Sequence, residues 1–236
     1  MDLAALRAMK RAGKKIVGVV VWDYQMAQIV DRAGVELVSV GDSVGVNLWG
    51  EKEGEITLEE MLVVCKAVRR GVKRALLSCD LPPRFATPQN ARRLIEEGGA
   101  QMIKVEAPAS VVRSLTDSGI AVFAEFHGGR NTPELVEEAR SLEAAGAALL
   151  DFRHSGLDAG AAVVRAVSIP VLGGLGGGPW LDGRMRMAHA AIGYAASQLD
   201  SKTESYANVA RVSLDAIAAY ADDVRAARHL KGQRPA

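Results

Sequence analysis

The stretch Ala33-Gly34-Val35-Glu36-Leu37-Val38-Ser39-Val40-Gly41-Asp42 decides the fold of this 236-residue chain. A helix-like segment closes on Gly34, an aliphatic run follows, and a carboxylate ends it. Glycine suits the left-handed cap of a helix C-terminus, and a short β-branched and aliphatic run reads as a buried parallel strand. The same unit returns as Gly98-Gly99-Ala100 leading to Glu106, and as Ala145-Gly146-Ala147 leading to Arg153. Strand-like runs at 15–21, 36–41, 74–79, 101–105, 120–124, 147–152 and 169–173 alternate with helical patterns such as 57–70 and 133–145. An eighth, weaker strand pattern lies around 191–195. Thr57 and Glu60 form the signature of a capping box. Such an alternation predicts an α/β fold, a (β/α)8 barrel of the TIM type, with a doubly wound sheet as the alternative. It is read as one domain over 1–236, with a long Ala-rich helix at about 205–227 and a polar tail from 231.

Composition removes several functions. A formal net charge of +1 gives no electrostatic reason to expect nucleic acid or an anionic membrane. Basic clusters such as Arg69-Arg70 read as solvated helix surface. No stretch approaches the roughly 20 apolar residues that span a bilayer, and the N-terminus lacks the zones of a secretory signal, so a cytoplasmic setting is expected. Cys65 and Cys79 are expected to be reduced and structural.

Asp42, Asp80 and Glu106 each close an apolar run. A residue closing a parallel strand sits where the strand emerges, which in α/β folds is where ligands bind. Three hard oxygen donors at one end suit Mg²⁺. Ser43 opens a loop with Gly45 and Gly50 where backbone N–H groups can face an anion. Lys104 lies two residues before Glu106, on the same strand face, and could hold a substrate carboxylate or a developing enolate oxygen. The alternative for Lys104 is an ion pair with Glu106. The run Gly173-Gly174-Leu175-Gly176-Gly177-Gly178 lacks the Gly-Lys-Ser/Thr of a phosphate loop, and reads as backbone passing close to a ligand. Trp22, Trp49 and Trp180 fall in segments near the expected mouth.

Trp22-Asp23-Tyr24, Val40-Gly41-Asp42-Ser43-Val44-Gly45, Thr57-Leu58-Glu59-Glu60-Met61, Asp80-Leu81-Pro82 and Ile103-Lys104-Val105-Glu106 resemble, in order and spacing, the ketopantoate hydroxymethyltransferase family. Ile169-Pro170-Val171-Leu172-Gly173 and Asp182-Gly183-Arg184 continue the resemblance. It implies a barrel of the wider superfamily of phosphoenolpyruvate mutases and isocitrate lyases, with a Mg²⁺-bound 2-oxo acid. By that resemblance Asp42 and Asp80 would bind Mg²⁺, Glu106 would complete its shell, and Ser43 and Lys104 would contact the oxo acid. Methylenetetrahydrofolate as co-substrate and a homo-oligomer are implied in the same way, and the Ala-rich C-terminal helix is a candidate for packing against a neighbour.

Two positions depart from the family pattern. Arg153 falls where that family carries the glutamate acting as general base, and Glu125 falls where it carries a histidine. Arginine stays protonated at neutral pH and cannot take a proton. In one reading the charges are exchanged: Glu125 is the base, and Arg153 grips an extra anionic group on the substrate, its planar fork suiting a carboxylate, phosphonate or phosphate. In the other, Glu125 and Arg153 neutralise each other. Asp151, on the face of Arg153 and one layer deeper, reads as its structural partner, and His127 and His154 as loop histidines. The expected activity is making or breaking a C–C bond beside a 2-oxo acid through an enolate, with catalytic Glu125, Lys104 and Arg153. A lyase or mutase acting on a dicarboxylate or phosphonate, or a non-catalytic oxo-acid binder, are the alternatives.

Overall fold

In the computed structural model, which describes residues 1–232 apart from the Leu175 side chain, eight parallel strands close in sequence order into one barrel. The chain runs α1 (Leu3–Arg11), β1 (Ile16–Val21), α2 (Tyr24–Ala33), β2 (Leu37–Val40), α3 (Leu58–Gly71), β3 (Leu76–Asp80), α4 (Pro88–Glu96) and β4 (Met102–Glu106). It continues through α5 (Ala109–Asp117), β5 (Val122–His127), α6 (Thr132–Ala144), β6 (Leu149–Arg153), α7 (Leu157–Ala166), β7 (Val171–Gly173) and β8 (Gly183–Met187). Two compact units divide the chain. Met1–Met187 holds the whole barrel, and the residues from Ala188 onward hold α8 (Ala188–Ile192) and α9 (Val209–Arg225). Most of the expected polar tail, from residue 233, lies outside the described residues.

Local chemistry sets the helix boundaries. Asp23 caps α2 by accepting from the Met26 N–H at 2.8 Å. Thr57 and Glu60 form the expected reciprocal capping box at α3. Thr87 caps α4 with Pro88 at the first helical position, where the missing N–H costs nothing.

The barrel interior is layered with the strand period of two. At the strand starts, Ile16, Leu37, Leu76, Met102, Phe123, Leu149, Leu172 and Met185 form one apolar cluster, joined by Leu6 of α1. Leu3 and Met9 pack against it, so α1 covers the N-terminal end of the barrel. Two residues further along five successive strands the interior turns polar, with Ser39, Ser78, Lys104, Glu125 and Asp151 all buried. Two further still stand Asp80, Glu106, His127 and Arg153, at the C-terminal ends. Pairings of Asp80 with Lys104, Glu106 with Glu125, and His127 with Arg153 hold these strands in register.

One strand differs from expectation. The eighth is Gly183–Met187, not 191–195, whose first part is the short helix α8. Gly183-Arg184-Met185-Arg186-Met187 carries arginines at alternate positions and lacks the aliphatic run that marks the other strands. Its partners β7 and β1 supply the pairing that its own sequence does not advertise. A Cβ at Gly183 would lie 2.2 Å from the Ile16 carbonyl oxygen, so glycine permits the closure.

Cys65 and Cys79 are free buried thiols. Among the described residues no helix is long and apolar enough to cross a membrane.

Candidate active site

Lys104 is the hub of the C-terminal end of the barrel. Its Nζ contacts the Glu125 carboxylate, lies 3.4 Å from Asp151 Oδ2 and 3.6 Å from Asp80 Oδ2. These carboxylates come from β5, β6 and β3. Arg153 Nη1 donates to Glu125 Oε1 at 3.0 Å. His127 Nε2 lies 3.2 Å from the same oxygen and 3.4 Å from Glu106 Oε2. Glu125 therefore meets two cations and an imidazole.

Asp80 is fixed from several sides. The Asp42 N–H donates to its Oδ2 at 3.4 Å, and the Ser39 hydroxyl to its Oδ1 at 3.4 Å. Ser78 Oγ in turn donates to Ser39 Oγ at 2.8 Å.

Burial and crowding set the protonation states. Burial pushes the Asp80 carboxyl up to about 7, against the pull of Lys104, with Asp42 and Glu125 adding repulsion. Asp42 and Asp151 are also raised, chiefly by burial. Burial pushes Glu125 the same way, but Lys104 and Arg153 outweigh it and hold its carboxyl below the ordinary value. For Lys104 burial favours the neutral amine, yet Asp80, Asp151 and Glu125 together hold the ammonium above its ordinary value. Lys104 is thus a fixed cation at neutral pH rather than a nucleophilic amine.

Several expectations need correction. Lys104 pairs with Asp80, Glu125 and Asp151 and not with Glu106, whose partner is His127. Asp151 approaches Lys104, while the guanidinium of Arg153 reaches Glu125, because the tilt of a closed barrel brings the neighbouring strand's side chain nearer than the next residue on the same face. His127 is the last residue of β5 rather than a loop residue, and its ring faces that of His154 at 5.8 Å. His154 itself has a φ of 50°, an uncommon left-handed backbone beside the mouth. Gly128 lies against it: a Cβ there would stand 2.0 Å from the His154 carbonyl oxygen. Trp22 is buried, whereas Trp49 and Trp180 are exposed.

Among the described residues, the group whose carboxylate and imidazole ligand atoms all lie within 4.8 Å is Glu106, Glu125 and His127; Asp42, Asp80 and Glu106 do not converge so closely. The Glu106 group has Lys104 and Arg153 against its central carboxylate, which opposes a further cation. Asp42 and Asp80 fit a divalent ion better. They are hard oxygen donors at adjacent strand ends, and a cation between them would offset the burial that raises Asp80 and the repulsion that Asp42 adds. Ser43, half-buried, follows Asp42 and leads into the π-helical turn Gly45–Trp49.

A closed parallel barrel with charged side chains converging at the C-terminal strand ends is the architecture of a TIM-barrel enzyme. The family model for ketopantoate hydroxymethyltransferase matches residues 1–130 and 126–229. The 3-methyl-2-oxobutanoate hydroxymethyltransferase of Geobacillus kaustophilus strain HTA426 is 32% identical over 92% of this chain and 87% of its own. This chain belongs to the ketopantoate hydroxymethyltransferase family. Its fold is shared with a phosphonopyruvate hydrolase solved with oxalate and Mg²⁺, at a TM-score of 0.68 and 15% identity, covering 99% of this chain and 91% of that one. It is shared too with a 2,3-dimethylmalate lyase of the phosphoenolpyruvate mutase/isocitrate lyase superfamily, at a TM-score of 0.66 and 16% identity, covering 99% and 98%.

Proposed function

We propose that the chain makes or breaks a C–C bond beside the carbonyl of a 2-oxo acid, with an altered base and an altered substrate relative to its family. The observation that carries this reading is the convergence of Lys104 and Glu125 beside Asp80, at the ligand-binding end of a barrel. Asp42 and Asp80 would hold Mg²⁺ directly and Glu106 would complete its shell through water, the ion supplying Lewis-acid polarisation of the oxo acid. The Lys104 ammonium stabilises the negative charge that develops on the enolate oxygen. Glu125 takes or returns the proton at the adjacent carbon, once bound substrate draws Arg153 from it. Arg153, half-exposed with Nη1 on Glu125, offers the rest of its fork to an anionic group of the substrate. Ser43, next to Asp42 in the chain, would donate to the substrate carboxylate. The electrophile is methylenetetrahydrofolate, as in the family, or an aldehyde.

A second reading rests on the contact between Arg153 and Glu125. If that pair stays closed, Glu125 is no base, and the site suits a lyase or mutase acting on a dicarboxylate or phosphonate. The oxalate and Mg²⁺ bound by the phosphonopyruvate hydrolase support Mg²⁺ chemistry under either reading. The protein is further proposed to be cytoplasmic and to work as a homo-oligomer, since α9 exposes Val212, Ile217, Tyr220 and Val224.

Deuterium exchange in D₂O, followed by NMR with Mg²⁺ and a panel of 2-oxo acids that includes 2-oxoisovalerate, tests the reading. Metal-dependent exchange beside the carbonyl, lost in Asp42→Ala and Glu125→Gln, supports it. Binding without exchange moves the weight to the second reading.

A further inference from the structure

Asp151 has no place in the mechanism above, yet it is a carboxylate only 4% exposed inside the barrel. Its Oδ1 is buried without a hydrogen-bond partner, and its Oδ2 lies 3.4 Å from Lys104 Nζ. Burying a carboxylate this poorly satisfied is unfavourable for folding, and burial indeed pushes its carboxyl up. The cluster holds more carboxylates than it needs: Asp80, Glu125 and Asp151 face Lys104 and Arg153. Two of the three have other work in the proposed reaction. Asp80 would turn to the metal, and Glu125 to the reacting carbon. Asp151 shares the buried layer of Lys104 and Glu125 but has no part in the proposed reaction, and is the carboxylate left to hold the ammonium.

We propose that Asp151 is a positioning residue, which keeps the Lys104 ammonium fixed at the mouth when Asp80 and Glu125 are drawn away from it. The proposal rests on the 2-oxo acid reading for what Lys104 then does, but its main test needs no substrate.

In protein labelled with ¹⁵N-lysine, the Lys104 ammonium resonance is assigned by its loss in Lys104→Met. Without metal, wild type and Asp151→Asn both retain it, because Asp80 and Glu125 still hold the group. With MgCl₂ added in a Glu125→Gln background, where neither Asp80 nor Glu125 holds the ammonium, the Glu125→Gln protein keeps the resonance and the Glu125→Gln/Asp151→Asn double variant loses it to exchange with water. Thermal melts of the same samples separate positioning from a role in the fold. With the surplus carboxylate gone, Asp151→Asn melts at or above the wild-type temperature. Where a 2-oxo acid exchanges deuterium, Asp151→Asn lowers kcat about 10- to 100-fold with KM unchanged. A resonance that persists in the double variant with MgCl₂ overturns the proposal, as does a melting temperature of Asp151→Asn several degrees below wild type. Absence of exchange in the wild-type protein overturns the 2-oxo acid reading instead, and leaves the resonance to decide the role of Asp151.

Discussion

Arg153 Nη1 donates to Glu125 Oε1 at 3.0 Å, closing an ion pair between the end of β6 and the interior of β5. The glutamate is buried and the arginine half-exposed, so the pair opens toward the side from which a ligand arrives.

If Glu125 moves the proton, Glu125→Gln cuts metal-dependent deuterium exchange by about 10²- to 10⁴-fold, the usual contribution of a positioned base. Steady-state exchange rates by NMR check this. A variant that retains full exchange removes Glu125 from the role.

Arg153→Gln is expected to weaken substrate binding by about 10-fold or more, in line with a lost charge-assisted hydrogen bond. Titration calorimetry with a mono- and a dicarboxylate 2-oxo acid reads this directly. A loss confined to the dicarboxylate identifies the extra anionic group. Equal affinities for wild type and variant leave Arg153 as no more than the counter-ion of Glu125.

Mg²⁺ near 100 times its dissociation constant raises the melting temperature by roughly 5–10 °C. Asp42→Asn or Asp80→Asn abolishes that shift, while Glu137→Gln on the exposed face of α6 leaves it intact. Differential scanning calorimetry with and without MgCl₂ makes the comparison.

Asp31 ties α2 to the start of β3 by accepting from the Arg74 and Ala75 N–H groups, each at 2.9 Å. Burial pushes its carboxyl up, but those donors and the Arg74 guanidinium outweigh it and leave it below the ordinary value. A carboxyl lowered on folding contributes stability that is fully present above its unfolded value, about pH 4, and lost as pH falls through the folded one. Asp31→Ala therefore costs on the order of 3 kcal/mol at neutral pH, and Asp31→Asn flattens the acid limb of the stability curve. Urea titrations at pH 7 and pH 3 measure both effects.

Gly128→Ala places a Cβ 2.0 Å from the His154 carbonyl oxygen, a backbone atom that cannot rotate aside. The Gly128 N–H also donates to the Arg153 carbonyl at 2.8 Å, so the ends of β5 and β6 part together. Activity is expected to fall along with the melting temperature, and circular dichroism with an exchange assay reads both.

What the sequence determined by itself is what local chemistry writes along a chain. Glycine-closed helices, aliphatic runs and terminal carboxylates marked seven strands and the end of the barrel where Asp42, Asp80 and Glu106 would lie, since C-caps and hydrophobic patterning are written in near neighbours. The eighth strand was illegible because Gly183–Met187 is a strand through its neighbours β7 and β1 rather than through its own pattern. The site divides in the same way. Alternation placed Lys104 on the same face as Glu106, yet it did not tell which carboxylate the ammonium would meet. Lys104, Glu125 and Asp151 belong to three strands separated by helices, and the register and tilt of barrel closure alone bring them together. A contact between strands is fixed by how the sheet closes, and no single segment of the chain carries that information.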